Sequence, residues 1–469
     1  MKNILGCYLM PHPPIIIPDI GNGQEEAVEK TSNACHKIAE EIGSIKPETI
    51  VIITPHGSMF SDAIAISHGD RITGDLREFG CSSIEMDIDI DKEFNERLNL
   101  ACSLEGIPSA TVDAEILRRY NKKFKLDHGA TVPLYFVNKY YKNYKLVHIT
   151  YALFGKMALY KFGMEIKNIA KELDRKIVII ASGDLSHALK EEGPYSYSPY
   201  GERFDKEFLE NLQRGDINSL FNMDNTMVEE AAQCGVNSVD ILLGAMEGKE
   251  FKGEILSYEG PFGVGYGVMK FTREDAETSG LNLLIKSNDE RLKKKLSGGN
   301  VYTKLARESL NYYFVHGSKI RDIANLPREL LDNRHGVFVS LKKFGALRGC
   351  IGTISPTTNS VAEEIIRNAI EAAFKDPRFQ DLNEDELDDI DISVDILMDA
   401  VPATKEELDP KKYGVIVTKG SKRGLLLPDL EGVNTTMEQL NIACSKAEID
   451  SGEDYEIEKF EVIRYKEGE

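Results

Sequence analysis

Histidine is concentrated in the first part of this chain. Seven of its nine histidines lie within the first 187 residues, and only His316 and His335 lie beyond. Imidazole binds metal ions and transfers protons near neutral pH. Chemistry that depends on imidazole is therefore expected in the N-terminal part.

Four of these histidines stand in loops punctuated by proline and glycine, where packing alone explains them poorly. Site residues favour such loops because a rigid scaffold positions them. The four are His12 in Met10-Pro11-His12-Pro13-Pro14, His56 in Thr54-Pro55-His56-Gly57, His128 in Asp127-His128-Gly129-Ala130 and His187 in Ser182-Gly183-Asp184-Leu185-Ser186-His187. We interpret them as one constellation, with Asp184 able to orient His187 or to join the site.

This set of residue types suits a metal centre. Two neutral imidazoles and one anionic group form the facial triad that holds Fe(II) and leaves positions open for substrate and O₂. The remaining imidazoles can then act as acid and base, because their ordinary pKa lies near cellular pH. His148 differs, since it lies inside an apolar strand pattern, and we interpret it as a core residue.

The segments between the histidines alternate β-branched runs with helical patterns. Strands are predicted at Ile4–Met10, Thr49–Thr54, Leu146–Thr150 and Lys176–Ala181, a helix at Gln24–Ile42, and a glycine-rich closing strand at Gly260–Val268. Such alternation implies an α/β fold with a mostly parallel sheet flanked by helices. The carboxyl ends of these strands face the ligand crevice, so the loops that carry His12, His56 and His187 should converge there.

Composition limits the class of protein. The 469 residues indicate two or three domains. The 57 Lys and Arg against 77 Asp and Glu give a formal net charge of −20, which argues against a nucleic-acid partner. Apolar runs are far shorter than the ~20 residues of a membrane span, and the N-terminus lacks a signal-peptide pattern. Seven widely spaced cysteines indicate a reduced compartment, so we expect a cytoplasmic protein without a membrane partner.

The pattern weakens between about Arg273 and Asn300, where acidic residues precede a basic run and Ser297-Gly298-Gly299. We predict a first domain at residues 1–272, a linker at 273–299 and a second domain at 300–469. Helical periodicity from Leu305 and strands at Gly336–Leu341 and Ile392–Leu397 mark the second domain.

The four histidine motifs, taken in order, resemble those of the class III extradiol ring-cleavage dioxygenases of the LigB type, over about residues 1–272. The related Memo proteins share the Ser-Asp-x-x-His element. The resemblance implies that His12 and His56 bind the metal and that His128 and His187 form an acid–base pair. It implies Fe(2+) as the cofactor, with copper or another divalent metal as alternatives, and a place in aromatic compound metabolism.

The third metal ligand is where this chain departs from that pattern. The dioxygenases use a glutamate late in the domain, whereas this chain has Cys234-Gly235, closer to the Memo pattern with a cysteine at the metal. Cys234 is therefore the predicted ligand, and Glu229, Glu230 and Glu259 stay open. A thiolate favours softer metals and is itself oxidised, which puts ring cleavage in question.

The second domain carries Leu347-Arg348-Gly349-Cys350-Ile351-Gly352-Thr353, which resembles the signature of the AMMECR family. Asp376-Pro377-Arg378-Phe379 and Gly424-Leu425-Leu426-Leu427-Pro428 support the match over about residues 300–466. The resemblance implies a smaller α/β domain. We favour a structural role for this turn, because no histidine of the second domain lies near it in the sequence. The alternative is a reactive Cys350, which needs a lowered pKa, and Arg348 is the nearest candidate cause.

Two functions compete. The first is a metal-dependent oxidoreductase that uses Fe(II) and O₂ on a small, catechol-type aromatic substrate, with His187 or His128 removing a proton. The alternative is a Memo-like metal-binding accessory protein that serves a radical-SAM partner without ring cleavage. A tyrosine-rich loop at 194–201 is either a lid over an apolar substrate or a surface turn. The sequence leaves the substrate's identity and a homo-oligomer open.

Overall fold

The computed structural model describes residues 3–275, 279–297, 299–343, 345–430, 432–450 and 454–467. The chain divides into two units, Met1–Asp289 and Glu290–Glu469, and both combine sheets with flanking helices. The α/β class predicted from the sequence is therefore confirmed. Among the helices of the described residues, none has the length and apolar character needed to cross a membrane.

The first unit centres on one large sheet of eight strands. The strands of the unit, in its described residues, are β1 (Ile4–Met10), β2 (Thr49–Thr54), β3 (Ile64–Ser67), β4 (Arg71–Leu76), β5 (Cys81–Asp89), β6 (Ser109–Val112), β7 (Lys145–Thr150), β8 (Ile177–Ser182), β9 (Lys249–Glu259) and β10 (Tyr266–Asp275). The sheet order is β6-β3-β7-β2-β8-β1-β10-β9, in which β7, β2, β8 and β1 run parallel. The mostly parallel sheet is confirmed at this centre, and β10 and β9 add an antiparallel edge.

Helices cover both faces of this sheet. They are α1 (Pro18–Gly21), α2 (Glu29–Ile45), α3 (Lys92–Leu104), α4 (Ala114–Arg119), α5 (His128–Asn138), α6 (Lys156–Glu172), α7 (Pro199–Arg214), α8 (Ile217–Phe221), α9 (Asn225–Glu230) and α10 (Val236–Ala245). Helices α3, α6, α7 and α10 close one apolar core, and α2 and α5 close the other.

Alternate side chains of each central strand enter these two cores. On β2, Val51 and Ile53 enter one core while Ile50 and Ile52 enter the other, and all four are fully buried. A strand buried on both faces has no solvent-facing side to fill with polar residues, so its sequence is a continuous apolar run. This is why the sequence predicts the bounds of β1 and β2 to the residue.

The glycine-rich segment is not a single strand. The chain runs up β9, turns through 260–265 and returns along β10, and Gly263 in that turn has φ of +80°. That left-handed conformation suits a residue without a Cβ. The strands β4 and β5 form a separate two-stranded ribbon that the sequence analysis does not predict.

The predicted linker holds more structure than its composition indicates. Strand β10 extends to Asp275, and helix α11 (Gly280–Ser297) fills most of the remaining segment. The first half of α11 packs on the first unit through Leu281 and the buried Leu284, and Ser287 donates a hydrogen bond to Asn222. Residues 276–278 and 298 lie outside the described residues.

In its described residues, the second unit contains two four-stranded antiparallel sheets. Its helices are α12 (Val301–His316), α13 (Arg328–Leu331), α14 (Val361–Phe374) and α15 (Thr436–Lys446), and its strands are β11 (Gly336–Lys343), β12 (Ala346–Gly352), β13 (Ile390–Leu397), β14 (Val401–Pro402), β15 (Gly414–Lys419), β16 (Lys422–Leu426), β17 (Glu456–Phe460) and β18 (Val462–Lys466). The sheet orders are β12-β11-β13-β18 and β14-β17-β15-β16. Helices α12 and α14 pack on the first sheet, and α15 packs on the second.

The packing of α11 predicts where a protease cuts first. Trypsin should cleave within 291–295 rather than at Arg273 or Lys286, because Arg273 is paired with Phe251 of β9 and the first half of α11 is held by its core contacts. The expected products are about 290 and 175 residues long and stable to further digestion. Mass spectrometry of a limited digest identifies the cut. A first cut inside either unit would contradict independent folding, which stays a prediction until then.

Candidate active site

The predicted constellation converges at the carboxyl edge of the parallel strands. His12 follows β1, His56 follows β2, and Asp184 and His187 follow β8, which lies between those two strands. His128 is the first residue of α5. The edge where parallel strands end is the usual ligand crevice of an open α/β sheet.

Three of the histidines form a compact group. One ring nitrogen from each of His12, His56 and His128 lies within 4.8 Å of the other two, a spacing at which the group can bind a metal ion. The Nε2 atoms of His12 and His56 are 3.0 Å apart, and the rings of His56 and His128 stack with centroids 4.3 Å apart. His12 is buried, His128 is half-buried and His56 is exposed, so the group opens to solvent at His56.

Ser182 determines which nitrogen of His12 carries the proton. The Ser182 hydroxyl donates its only hydrogen to the carbonyl of Gly129 at 2.5 Å and lies 2.9 Å from Nδ1 of His12. The hydroxyl must therefore accept from Nδ1–H, which leaves Nε2 of His12 with a bare lone pair. Burial, reinforced by the neighbouring His56, lowers the pKa of His12 well below its ordinary value. The ring is therefore neutral, and its Nε2 lone pair can bind a metal ion.

The Asp127 carboxylate holds two of the histidine-bearing segments in place. It accepts hydrogen bonds from the Thr54 hydroxyl at 2.6 Å, from the backbone N–H of Ala130 at 3.2 Å and from Nε2 of His148 at 3.0 Å. Thr54 in turn accepts from the backbone N–H of His56 at 3.2 Å. Although burial opposes ionisation of Asp127, the bonds from His148 and Thr54 outweigh it and hold its pKa below the usual range.

His148 is buried in β7, as expected of a core residue, and it also donates the hydrogen bond that helps to hold Asp127 in place. Its Nδ1 lies 2.7 Å from the Ser67 hydroxyl, so a polar chain runs from β3 through His148 to Asp127. Sequence reasoning missed the roles of Asp127, His148 and Ser182. One signal was available, since an aspartate before His128-Gly129 is a typical helix N-cap.

Cys234 lies beside the His12 lone pair. Its Sγ is 3.7 Å from Nε2 of His12 and accepts a hydrogen bond from the backbone N–H of Asp184 at 3.3 Å. Gly183 and Gly235 are in close backbone contact, so that a Cβ on Gly183 would collide with Gly235. This glycine pair brings the Cys234 segment against the end of β8.

Asp184 faces the same centre. One carboxylate oxygen accepts from the backbone N–H of His12 at 2.9 Å, and the other lies 3.8 Å from Nε2 of His12. Burial raises the pKa of Asp184 to about 6, against the opposing influence of the His12 N–H and of His187. Burial, reinforced by Asp184, also raises the pKa of the Cys234 thiol.

His187 stands outside the three-histidine group. Its Nδ1 donates to the carbonyl of Ala232, which leaves Nε2 of the neutral ring as a proton acceptor. Burial, reinforced by His12, lowers the pKa of His128 to about 4, so the His128 ring is neutral at physiological pH. Both rings can therefore take a proton from a bound ligand.

The glutamates left open by the sequence have other partners. Glu259 accepts from the backbone N–H and hydroxyl of Thr31, each at 2.8 Å, and Glu230 accepts from Ser198 at 3.4 Å. Glu229 lies in α9. Among the described residues, the group close enough to hold a metal consists of the three histidines, with Cys234 and Asp184 adjacent.

The donor set fits a divalent metal ion. Two nitrogen ligands at about 2.1 Å from one ion, at right angles to each other, are about 3.0 Å apart, which is the separation of the His12 and His56 Nε2 atoms. Neutral imidazoles with a nearby carboxylate and thiol suit Fe(II) and also softer divalent ions. Ser182, Asp127 and His148 supply the hydrogen bonds that orient such ligands.

Comparison with known families agrees with this geometry. A family model described as the catalytic LigB subunit of aromatic ring-opening dioxygenase matches residues 6–269, more than half of the chain. The chain belongs to the LigB family. A second model, AMMECR1, matches residues 303–468, so the LigB-type region is fused to an AMMECR1 region. Both resemblances inferred from the motifs are confirmed, and the LigB family supports a dioxygenase-like, metal-dependent class.

Several proteins are similar to all or part of this chain. Protein CA_C1420 of Clostridium acetobutylicum is 53% identical over 463 residues, covering 98% of this LigB-family chain and 99% of its own. A Thermotoga maritima protein is 52% identical over 172 residues, 36% of this chain and 99% of its own length. The crystal structure of the uncharacterized protein PH0010 from Pyrococcus horikoshii is 30% identical, covers 36% of this chain and 90% of that one, and has a TM-score of 0.34.

In the AMMECR1 region, Arg348 does not lie against Cys350 in the way the sequence suggests. The Arg348 guanidinium pairs with Glu386 at 2.9 Å and donates to the carbonyls of Gln380 and Asp381. The nearest polar partner of the Cys350 thiol is the Ser340 hydroxyl, which donates to Sγ at 3.2 Å. Burial raises the pKa of Cys350 in spite of that hydrogen bond, which agrees with the structural turn rather than with activation by Arg348.

The tautomer argument predicts an effect of Ser182→Ala on metal affinity. Loss of the hydroxyl frees His12 to rotate or to protonate Nε2, and Kd for the metal should rise about 10- to 100-fold, the usual effect of losing a hydrogen-bond partner of a ligand. Calorimetric titration of the metal-free chain with Fe(II) under anaerobic conditions measures it. The matched control is Ser309→Ala, because Ser309 of the second unit is as fully buried as Ser182. An unchanged Kd in Ser182→Ala would contradict the assignment.

The raised pKa of Cys350 predicts slow alkylation of the native protein. At neutral pH, iodoacetamide should label Cys350 more slowly than a free thiol, because burial reduces the thiolate fraction. Arg348→Ala should leave the rate unchanged, since Arg348 is bonded to Glu386. Peptide mass spectrometry after timed quenching gives the rate. Rapid labelling that Arg348→Ala slows would restore a reactive-cysteine interpretation.

Proposed function

We propose that this LigB-family protein is a metal-dependent oxidoreductase that uses Fe(II) and O₂ on a small catechol-type aromatic substrate. The observation that carries the proposal is the pair of His12 and His56, whose Nε2 atoms lie 3.0 Å apart and of which His12 carries an unprotonated Nε2. Neutral, preoriented imidazole nitrogens at the ligand edge of the sheet are what a catalytic metal centre requires.

His12 and His56 would hold the metal, with Cys234 as the third protein ligand and Asp184 beside it. Fe(II) bound there would supply open positions for O₂ and for the two oxygens of a catechol. The Ser182 hydroxyl keeps Nε2 of His12 free for this role, and Asp127 fixes the segment that carries His56. The exposure of His56 leaves that side of the centre accessible to substrate.

His128 and His187 would handle the protons. Removing a proton from the substrate hydroxyl requires a neutral base near the metal, and both rings are oriented or tuned as acceptors. His187 keeps Nε2 free because Nδ1 donates to Ala232, and His128 is neutral because burial and His12 lower its pKa. Either ring could return the proton later in the cycle as a general acid.

The alternative is a metal-binding accessory role without ring cleavage, in the manner of Memo-like proteins and with a radical-SAM partner. The observation that favours it is Cys234, whose Sγ lies 3.7 Å from Nε2 of His12 where the dioxygenases have a glutamate. A thiolate ligand favours copper or another soft metal and is vulnerable to oxidation when O₂ is activated beside it.

Histidine variants test the oxidoreductase proposal. His12→Ala and His56→Ala should lose most bound iron, because each removes one of few protein ligands. His187→Ala should keep the iron but lower turnover by ~10²–10⁴-fold, the usual size of a general acid–base contribution. His316→Ala, an exposed histidine of the AMMECR1 region, is the control. Iron content is measured by mass spectrometry and turnover by O₂ uptake with catechols.

Each outcome separates the two functions. Full iron in His12→Ala or His56→Ala would contradict the metal site, and loss of iron in His187→Ala would make His187 a ligand. A wild-type chain that binds copper in preference to iron, shows thiolate-to-metal absorption that Cys234→Ser abolishes, and consumes no O₂ with catechols would favour the accessory role.

A further inference from the structure

Two exposed aromatic rings flank the histidine cluster, each against a different imidazole. The Phe79 ring meets His128 edge to face with centroids 5.3 Å apart, and the Tyr195 ring lies 5.7 Å from that of His187. Phe79 is 39% exposed and Tyr195 is 51% exposed. Neither ring belongs to an apolar core, so packing of the unit does not account for their positions.

Phe79 is held at the site by its own turn. It ends the short turn Arg77–Phe79 between β4 and β5, and Gly80 closes the turn with φ of +82°. The Glu78 carboxylate pairs with Lys125 at 2.9 Å. Because Lys125 lies three residues before His128, this ion pair ties the turn to the segment that carries the histidine. The ribbon of β4 and β5 thereby places an aromatic ring at the metal centre.

Tyr195 is held by a loop with fixed ends. The backbone N–H of Ser198 donates to the carbonyl of Ala188 at 3.0 Å, which closes the loop immediately after His187. The Lys190 ammonium donates to the carbonyl of Pro261 at 2.8 Å and fixes the near side. Tyr195 stands between these two anchors, with its ring against His187.

We propose that Phe79 and Tyr195 are specificity-determining residues, which contact the ring of a planar aromatic ligand held by the metal. The inference rests on the proposed function and adds a division of labour to it. Aromatic rings attract one another beyond simple area burial. An aliphatic chelator with the same oxygen donors gains nothing from such contacts. Phe79 and Tyr195 therefore distinguish aromatic from aliphatic chelators, whereas the histidine ligands serve both.

The test measures ligand binding by the full chain, loaded with Fe(II) without oxygen. The probes are 4-nitrocatechol, followed by its visible absorbance, and acetohydroxamate, an aliphatic chelator with two oxygen donors, followed by calorimetry. Phe79→Leu and Tyr195→Leu should each weaken 4-nitrocatechol binding about 3- to 10-fold and change acetohydroxamate binding less than about 2-fold. Phe79→Tyr and Tyr195→Phe keep the ring and should keep the affinity.

Tyr197→Leu is the matched control, because Tyr197 lies in the same loop and is 48% exposed. An effect of Tyr197→Leu as large as that of Tyr195→Leu would overturn the assignment of Tyr195. Equal weakening of both chelators, or no weakening of 4-nitrocatechol, would overturn the inference and leave the proposed function standing. A wild-type chain that binds no Fe(II), or neither chelator, would overturn the proposed function and this inference together.

Discussion

The arrangement of the site depends on the carboxylate of Asp127. This one group accepts hydrogen bonds from the end of β2 through Thr54, from the first turn of α5 through Ala130 and from β7 through His148. A buried carboxylate is costly unless its oxygens are satisfied, and here three donors satisfy it. His56 lies two residues after Thr54, and His128 follows Asp127 directly. The hydrogen bond between Thr54 and Asp127 therefore helps to set the distance between His56 and His128.

The sequence predicts the strands and loops that carry the site better than the hydrogen bonds that connect its residues. The central strands are apolar runs because both faces are buried, and their carboxyl ends must share one edge, so the convergence of His12, His56 and His187 follows from local patterns. The bond from Ser182 to Gly129 joins β8 to α5, 53 residues apart in the chain, and no local pattern encodes it. The position of Phe79 beside His128 could not be predicted either, because the ribbon that carries Phe79 lies outside the main sheet.

The Cys234 thiol beside His12 affects the charge balance of the centre. Burial favours the neutral forms of His12, His128, Asp184 and the Cys234 thiol, although Asp184, with a pKa of about 6, is still largely ionised at neutral pH. A divalent cation reverses that preference, because it stabilises a thiolate and a carboxylate beside it. A metal bound at this site would therefore couple its binding to deprotonation, and its identity would decide whether the sulfur binds the metal or is oxidised beside it.

The AMMECR1 motif shows why a distinctive sequence need not mark a catalytic residue. Gly349 has no room for a Cβ because the Ala372 carbonyl of α14 lies against it, and Gly352 has none because the Phe338 ring covers it. Arg348 joins β12 to the turn at Glu386. Close packing at two glycines and an ion pair at Arg348 thus account for three of the motif's residues without a catalytic role. Cys350 differs from these three, since it lies opposite Ser340 in the strand pair and its thiol accepts a hydrogen bond from the Ser340 hydroxyl.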